Sequence, residues 1–213
     1  LSALDFLRQH SLFILELLGT AAFAVSGVLV ALRKRMDGVG ICVCGFLAAF
    51  GGGTLRDVLI DRRPFFWAEQ QAVLLGVLVL CLACASLLSQ RRLERGQRLL
   101  QVPDAIGLGL FCATGLQLAW ETGQPPVVAV MMGIITATFG GVLRDLACNE
   151  LPSLFSDHRP YAVCALAGGL AYLLLAWLDA PAWMPVAACA VLTTGTRLLS
   201  LWRNWRLPAL DPR

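Results

Sequence analysis

Charge is what this chain has least of. Asp, Glu, Lys and Arg together make up 15% of its 213 residues, lysine occurs once, at Lys34, and histidine only at His10 and His158. Against so little charge stand a hydrophobic content of 58% and a mean hydropathy of +0.72. An ordinary soluble domain is excluded, because water could not solvate a surface drawn from that composition. Polar linkers are missing too, apart from residues 89–103, so there is no room for a soluble domain with its own core, and 1–213 reads as a single membrane domain. The scarcity extends to chemistry. There is no Ser-His-Asp spacing, nucleotide-binding loop or metal-ligand cluster, so neither an enzyme nor a cofactor is expected. The net charge of +3 comes from arginines scattered among short loops, which reflects membrane topology and excludes a nucleic-acid partner.

What is present is apolar length. Stretches 12–32, 39–60, 71–88, 104–120, 127–148, 161–178 and 182–202 are each long enough, at about 1.5 Å per residue and with tilt where needed, to cross a hydrocarbon core of about 30 Å. They are continuous and lack strand-like alternation, so the fold class expected is an all-α, multi-pass membrane protein with seven transmembrane helices surrounded by membrane lipid. The first stretch is too long for the apolar region of a signal peptide and has only Arg8 nearby, so it is read as a helix of the mature protein. All eight cysteines lie in or at the ends of these stretches and share no face with histidine, which reads as small apolar thiols, not as disulfides or metal ligands.

With seven spans, Arg33, Lys34, Arg35, Arg91, Arg92, Arg95, Arg98, Arg159, Arg203, Arg206 and Arg213 fall on one side, against Arg8, Arg62 and Arg63 on the other. The positive-inside rule then places the amino terminus outside and the carboxyl terminus in the cytoplasm. Lysine is one of 17 basic residues, leaving 16 arginines (17 minus 1), a bias that points to a GC-rich bacterial genome and hence to the bacterial cell (inner) membrane.

The chain also contains itself twice. Gly52-Gly53-Thr54-Leu55-Arg56-Asp57 recurs as Gly140-Gly141-Val142-Leu143-Arg144-Asp145, an offset of 88 (140 minus 52). The same offset carries Glu16 to Asp104, Phe23 to Phe111, Ser26 to Thr114, Gly27 to Gly115 and Pro64 to Pro152. Repeat one covers about 12–90, repeat two about 103–178, and the extra helix 182–202 has no counterpart. Three helices per repeat is an odd number, so the repeats are expected to be inverted, with matching discontinuous helices meeting near the midplane as in many transport proteins.

Candidate functional residues follow from polar groups where lipid-facing sequence has no use for them. Gly51, Gly52 and Gly53 in the second helix each lower helix propensity by about 1 kcal/mol relative to alanine, so a kink or unwound turn is expected there. Freed carbonyls and the hydroxyl of Thr54 could then replace hydration water around a cation, with Thr138, Gly140 and Gly141 doing the same in the fifth helix. The bland alternative is that these glycines only let helices approach. Asp57 and Asp145 would attract cations at the two mouths, while Arg56 and Arg144 would brace the half-helices or act as a movable gate. Adjacent helix positions diverge by about 100°, so each Arg is expected to bond across to another helix and not to its neighbouring Asp. Glu16 is deep enough to belong to the path, Asp104 suits a helix amino terminus, and Ser26, Thr114 and Gln117 are either pore lining or interhelical bonds.

The doubled Gly-Gly-x-Leu-Arg-Asp motif, in two three-helix repeats plus a seventh helix, resembles the prokaryotic branch of the trimeric intracellular cation (TRIC) channels over nearly all of 12–202. The resemblance implies a homotrimer in which every protomer has its own pore for potassium and sodium, lined by kinked helices two and five. Relatives in that family also carry the label of glycine transporter, so a secondary transporter of a small solute such as glycine is the alternative. Phe139 stands where the first motif has Gly51, which implies a less open second kink.

Overall fold

The computed structural model describes residues 3–87 and 101–208, with side chains described from position 12. The arginine-bearing part of the linker between the repeats lies outside the described residues, as does Arg213. The helices are α1 (Ala3–Arg33), α2 (Gly38–Leu59), α3 (Phe66–Glu69), α4 (Gln71–Leu87), α5 (Gln101–Glu121), α6 (Pro126–Ala147), α7 (Ser153–Ser156), α8 (Ala162–Trp177) and α9 (Trp183–Arg203). Among the described residues, five are long and apolar enough to cross a membrane: α1 over Leu12–Arg33, α2, α5, α6 and α9. The apolar helices α4 and α8 are shorter, with 17 and 16 residues, and reach about 25 Å against a core of about 30 Å. The chain is an all-helical, multi-pass membrane protein, and each apolar stretch read from the sequence falls on one of these seven helices.

Local chemistry sets the helix ends. Asp37 caps α2 by accepting a hydrogen bond from the Gly40 amide at 2.8 Å, and Pro126 opens α6, where its missing N–H costs nothing. At the other ends of these two helices, Asp61 and Asn149, again 88 apart (149 minus 61), adopt positive φ of 54° and 53°. Asp and Asn tolerate that left-handed conformation better than other side chains. Each is followed by an amide that reaches back to the motif aspartate's carbonyl, Arg62 to Asp57 at 2.8 Å and Glu150 to Asp145 at 2.9 Å, a Schellman-type closure.

Helices α1, α2, α5 and α6 form the centre, with α4 against α1 and α2, α8 against α5 and α6, and α9 on α5 and α8. Contacts within the centre are reciprocal. A methyl group added at Gly52 would lie 2.1 Å from the Thr136 carbonyl oxygen, and one at Gly140 would lie 2.3 Å from the carbonyl of Ala48, the position 88 before Thr136. Likewise Gly19 receives the ring of Phe111, and Gly107 the ring of Phe23. Because Ala48 faces Gly140 while Gly52 faces Thr136, α2 and α6 cross antiparallel.

The crossing corrects the expectation of broken second and fifth helices: α2 runs unbroken through Gly51, Gly52 and Gly53, and α6 through Gly140 and Gly141. The glycine penalty is offset by contact, since the missing side chains let two backbones meet at a distance no other residue permits. Nor are the carbonyls bare. Thr54 donates to the Phe50 carbonyl at 2.8 Å, Thr138 to Ile134 at 2.8 Å and Thr136 to Met132 at 2.6 Å.

The loop entering α8, itself outside the membrane-spanning segments, is tied to α9. Asp157 accepts from Arg159 Nε at 2.8 Å and lies 3.6 Å from Arg197 Nη2. Burial pushes its carboxyl up, but the Arg159 hydrogen bonds and the charges of Arg159 and Arg197 outweigh this and hold it below the ordinary 3.8.

Two outcomes are expected in thermal denaturation of the detergent-solubilised protein. Gly52→Ala should destabilise by about 1–3 kcal/mol through overpacking, whereas Gly76→Ala, with nothing within 4 Å, should be neutral or gain up to about 1 kcal/mol in helix propensity. Because the lowered group stabilises when ionised, the advantage of wild type over Asp157→Asn should be constant at neutral pH and shrink as pH falls below about 4.

Candidate functional site

Beyond the glycine crossing, each motif arginine sits six residues from its midpoint, about 9 Å along the axis. Since the helices are antiparallel, Arg56 and Arg144 lie on opposite sides of it. Each is buried, at 1% and 4% exposure, and each holds two carboxylates. Such burial is tolerable only when every charge finds a partner.

In the first cluster Arg56 Nη2 donates to Glu16 Oε1 on α1 at 2.6 Å, and Nε donates to Asp57 Oδ1 at 2.9 Å. In the second, Arg144 Nη1 donates to Asp104 Oδ1 on α5 at 2.8 Å, and Nε to Asp145 Oδ1 at 2.8 Å. Arg144 Nη1 also donates to the Ser26 hydroxyl at 2.6 Å, so α6 is fastened to α1 as well as α5. The neighbouring Arg and Asp therefore do bond each other, against expectation: the long guanidinium stem curls back so that its Nε edge meets the next carboxylate while its tip crosses to another helix. Asp104 is likewise no mere helix-end charge, because the Arg144 guanidinium competes successfully for it. Asp57 and Asp145 are not open to the mouths, being 0% and 3% exposed.

Of the other expected residues, Gly51 packs on Leu143, and Gly53 and Gly141 face the arginine tips, with Nη2 atoms 3.7 Å and 3.6 Å from where a methyl would be. Thr54 accepts from Trp67 Nε1 at 3.1 Å, beside the first cluster. Thr114 and Thr138 turn their hydroxyls onto their own helices and join neither cluster. Gln117 pairs with Glu121 and Tyr172 away from both.

Three residues of the second cluster escaped the sequence reading. Tyr161 donates to Asp104 Oδ2 at 2.8 Å, and Ser153 donates its amide and hydroxyl to Asp145 Oδ2 at 2.8 Å and 2.9 Å. Arg197, 2% exposed, lies over the Tyr161 ring at 4.6 Å. The signal for Arg197 was a charge inside the seventh apolar stretch; Ser153 follows Pro152, a matched position, but its own counterpart is Phe65. A cavity of about 110 Å³ opens beside this cluster, lined by Ser26, Lys34, Asp104, Arg144 and Glu150 among others. A smaller one of about 10 Å³ adjoins the first cluster.

Arg144→Lys should destabilise the fold nearly as much as Arg144→Ala, on the order of 3–5 kcal/mol, because an ammonium cannot reach Asp104, Asp145 and Ser26 together. Thermal denaturation of both variants checks this, and a lysine variant as stable as wild type would mean that charge alone suffices.

Comparison with known proteins gives this geometry a family. A family model described as "Glycine transporter" matches twice, over residues 13–89 and 101–177, the two halves found above. The UPF0126 inner membrane protein YadS of Escherichia coli is 38% identical over 159 residues, 74% of this chain and 75% of its own. The UPF0126 membrane protein YvgT of Bacillus subtilis is 31% identical over 195 residues, 92% of this chain and 94% of its own. Among solved structures, the TRIC trimeric intracellular cation channel orthologue of Rhodobacter sphaeroides superposes with a TM-score of 0.83 at 36% identity, covering 92% of this chain and all of that one. A structure of a TRIC cation channel solved to explain conductance also reaches 0.83, at 31% identity over 94% of this chain and 97% of its own. The chain belongs to the family that joins the prokaryotic TRIC channels with the UPF0126 membrane proteins.

Proposed function

We propose that this protein is a channel for monovalent cations, potassium or sodium, with one conduction path per protomer between α2 and α6. The observation that carries the reading is the pair of buried clusters on opposite sides of one antiparallel crossing, each with two carboxylates to one guanidinium. The two carboxylates and one motif guanidinium at the centre of each cluster sum to one negative charge, which favours cations over anions, with Arg62 and Arg197 as further cations beside them. The reading takes the protein as two inverted three-helix repeats plus a seventh helix, seven spans in all, embedded in the bacterial inner membrane with the amino terminus outside. It takes the assembly as a homotrimer, as the Rhodobacter relative is described, and assigns the protein no enzymatic activity, cofactor or nucleic-acid partner. Arg56 and Arg144 brace the motif helices through carboxylates on α1 and α5, and Glu16, Asp57, Thr54, Ser26 and Asp145 border the path. Gly52 and Gly140 set its narrowest point, where backbones meet.

A second reading, a secondary transporter of a small solute such as glycine, is favoured by the description of the family model and by the tight crossing that separates the two cavities. A transporter needs such a closed barrier between alternately open sides. Purified protein in a planar bilayer is expected to give unitary current steps whose reversal potential follows the potassium or sodium gradient. Saturable, ion-coupled glycine uptake without steps would replace the channel with the transporter.

A further inference from the structure

Sulfur gathers at one point of the fold that the arginine clusters do not use. Cys44 on α2 lies 3.6 Å, sulfur to sulfur, from Cys148, the residue that ends α6, although 104 residues separate them. The same Cys44 thiol donates to the Met36 thioether at 3.6 Å. Three segments therefore meet on Cys44: the turn between α1 and α2, α2 itself and the end of α6. Both cysteines are buried, at 1% and 3% exposure, and Met36 is half-buried at the edge. Two further contacts hold this arrangement. Gly40 leaves room for Met36, whose Sδ would lie 3.4 Å from a methyl added there. Lys34, just before Met36, pairs with Glu150, just after Cys148, at 2.6 Å. The offset of 88 puts Gln124, Met132 and Ile60 at the matching positions, so the sulfur triad is not part of the doubled plan.

Spacing and donor type choose the ligand. Metal–thiolate bonds of about 2.3 Å put neighbouring sulfurs about 3.8 Å apart in tetrahedral and about 4.0 Å apart in trigonal geometry, so these sulfurs need only small shifts to share one ion. A disulfide between Cys44 and Cys148 would require them to close to about 2.05 Å and would leave the thioether no part. Thiolates together with a thioether select soft metals, copper(I) foremost. Zinc prefers four ligands, and among the described residues no three of His, Cys, Asp and Glu stand close enough to hold a metal. Two cysteines and a methionine suit a three-coordinate soft ion.

We propose that Met36, Cys44 and Cys148 form a binding site for one soft monovalent metal ion, copper(I) or its analogue silver(I). On binding, Cys44 and Cys148 each release a proton to solvent, no electron is transferred, and the ion is held by two thiolates and one thioether. The single negative charge that results lies beside a turn rich in positive charge, Arg33, Lys34 and Arg35, which favours the thiolates. Met36, the most exposed of the three, marks the entry. A bound ion pins the α1–α2 turn and α2 to the end of α6, on the side of the crossing where the larger cavity opens. It is a ligand of the fold and not a cofactor of conduction, so the inference stands whether the protein proves a channel or a transporter.

The test uses the purified full chain, reduced and anaerobic, titrated with copper(I) against a colorimetric copper(I) chelator. The first equivalent should bind, and X-ray absorption at the copper edge should then show three sulfurs at about 2.3 Å. Cys44→Ser should raise the half-saturating concentration by about tenfold or more. Met36→Leu, a change of similar volume at a half-buried turn, should keep the ion with two sulfurs in place of three. Cys189→Ser removes one thiol of the other close pair, Cys112 and Cys189 at 3.7 Å, and should leave the titration unmoved. No copper bound by wild type, an unchanged titration in Cys44→Ser, three sulfurs retained in Met36→Leu, or an equal loss in Cys189→Ser would overturn the site. If Cys44→Ser does not fold, the sulfur counts of wild type and Met36→Leu decide.

Discussion

Burying a guanidinium in a membrane interior is the constraint around which this protein is arranged. Arg56 and Arg144 are almost fully enclosed, and neither could remain so without carboxylates brought from a second helix. Meeting that demand fixes much else. Glu16 must face α2, Asp104 must face α6, and α1 and α5 must run alongside the motif helices at the depth where those side chains meet. The glycines complete the arrangement from the other side, because only a side-chain-free crossing lets α2 and α6 approach closely enough for both clusters to share one core.

Duplication explains why the demand is met twice in the same way. Within each half the arginine and its distant carboxylate are 40 residues apart, 16 to 56 and 104 to 144, and the glycine contacts exchange partners under the same offset. Around the shared arginine and its two carboxylates, the halves differ in their neutral donors. Ser153 and Tyr161 stand where the first half has Phe65 and Val73, and Glu16 stands where the second has Asp104. Two sites with the same ionic skeleton therefore differ in how many of their carboxylate oxygens meet a neutral donor among the described residues. That difference sits in residues a motif comparison passes over.

Much of the fold was legible in the chain because lipid imposes a simple rule: long uninterrupted apolar runs must be helices that satisfy their own backbone. The apolar stretches and the repeat offset followed from that rule and from identity at matched positions. Glycine was harder to read, because low helix propensity and close helix contact predict the same residue. Free energy decides between them only when a partner is present, and at Gly52 the partner is the Thr136 carbonyl, 84 residues away (136 minus 52).

By itself, then, the sequence determined that the protein lies in a membrane, that it is built twice, and that Arg56 and Arg144 are its centre, since a charge in an apolar helix is costly wherever the helix packs. Tertiary structure alone decided that the helices stay unbroken, that each arginine bonds its neighbouring aspartate as well as a distant carboxylate, and that among the described residues one Asp57 oxygen has no donor while both Asp145 oxygens do. The physical reason is that cost is a property of a residue, whereas satisfaction is a property of its surroundings. Whether a buried oxygen has a donor depends on Ser153, Tyr161 or their absence at the matched position, and those donors reach the carboxylates only after the chain has folded.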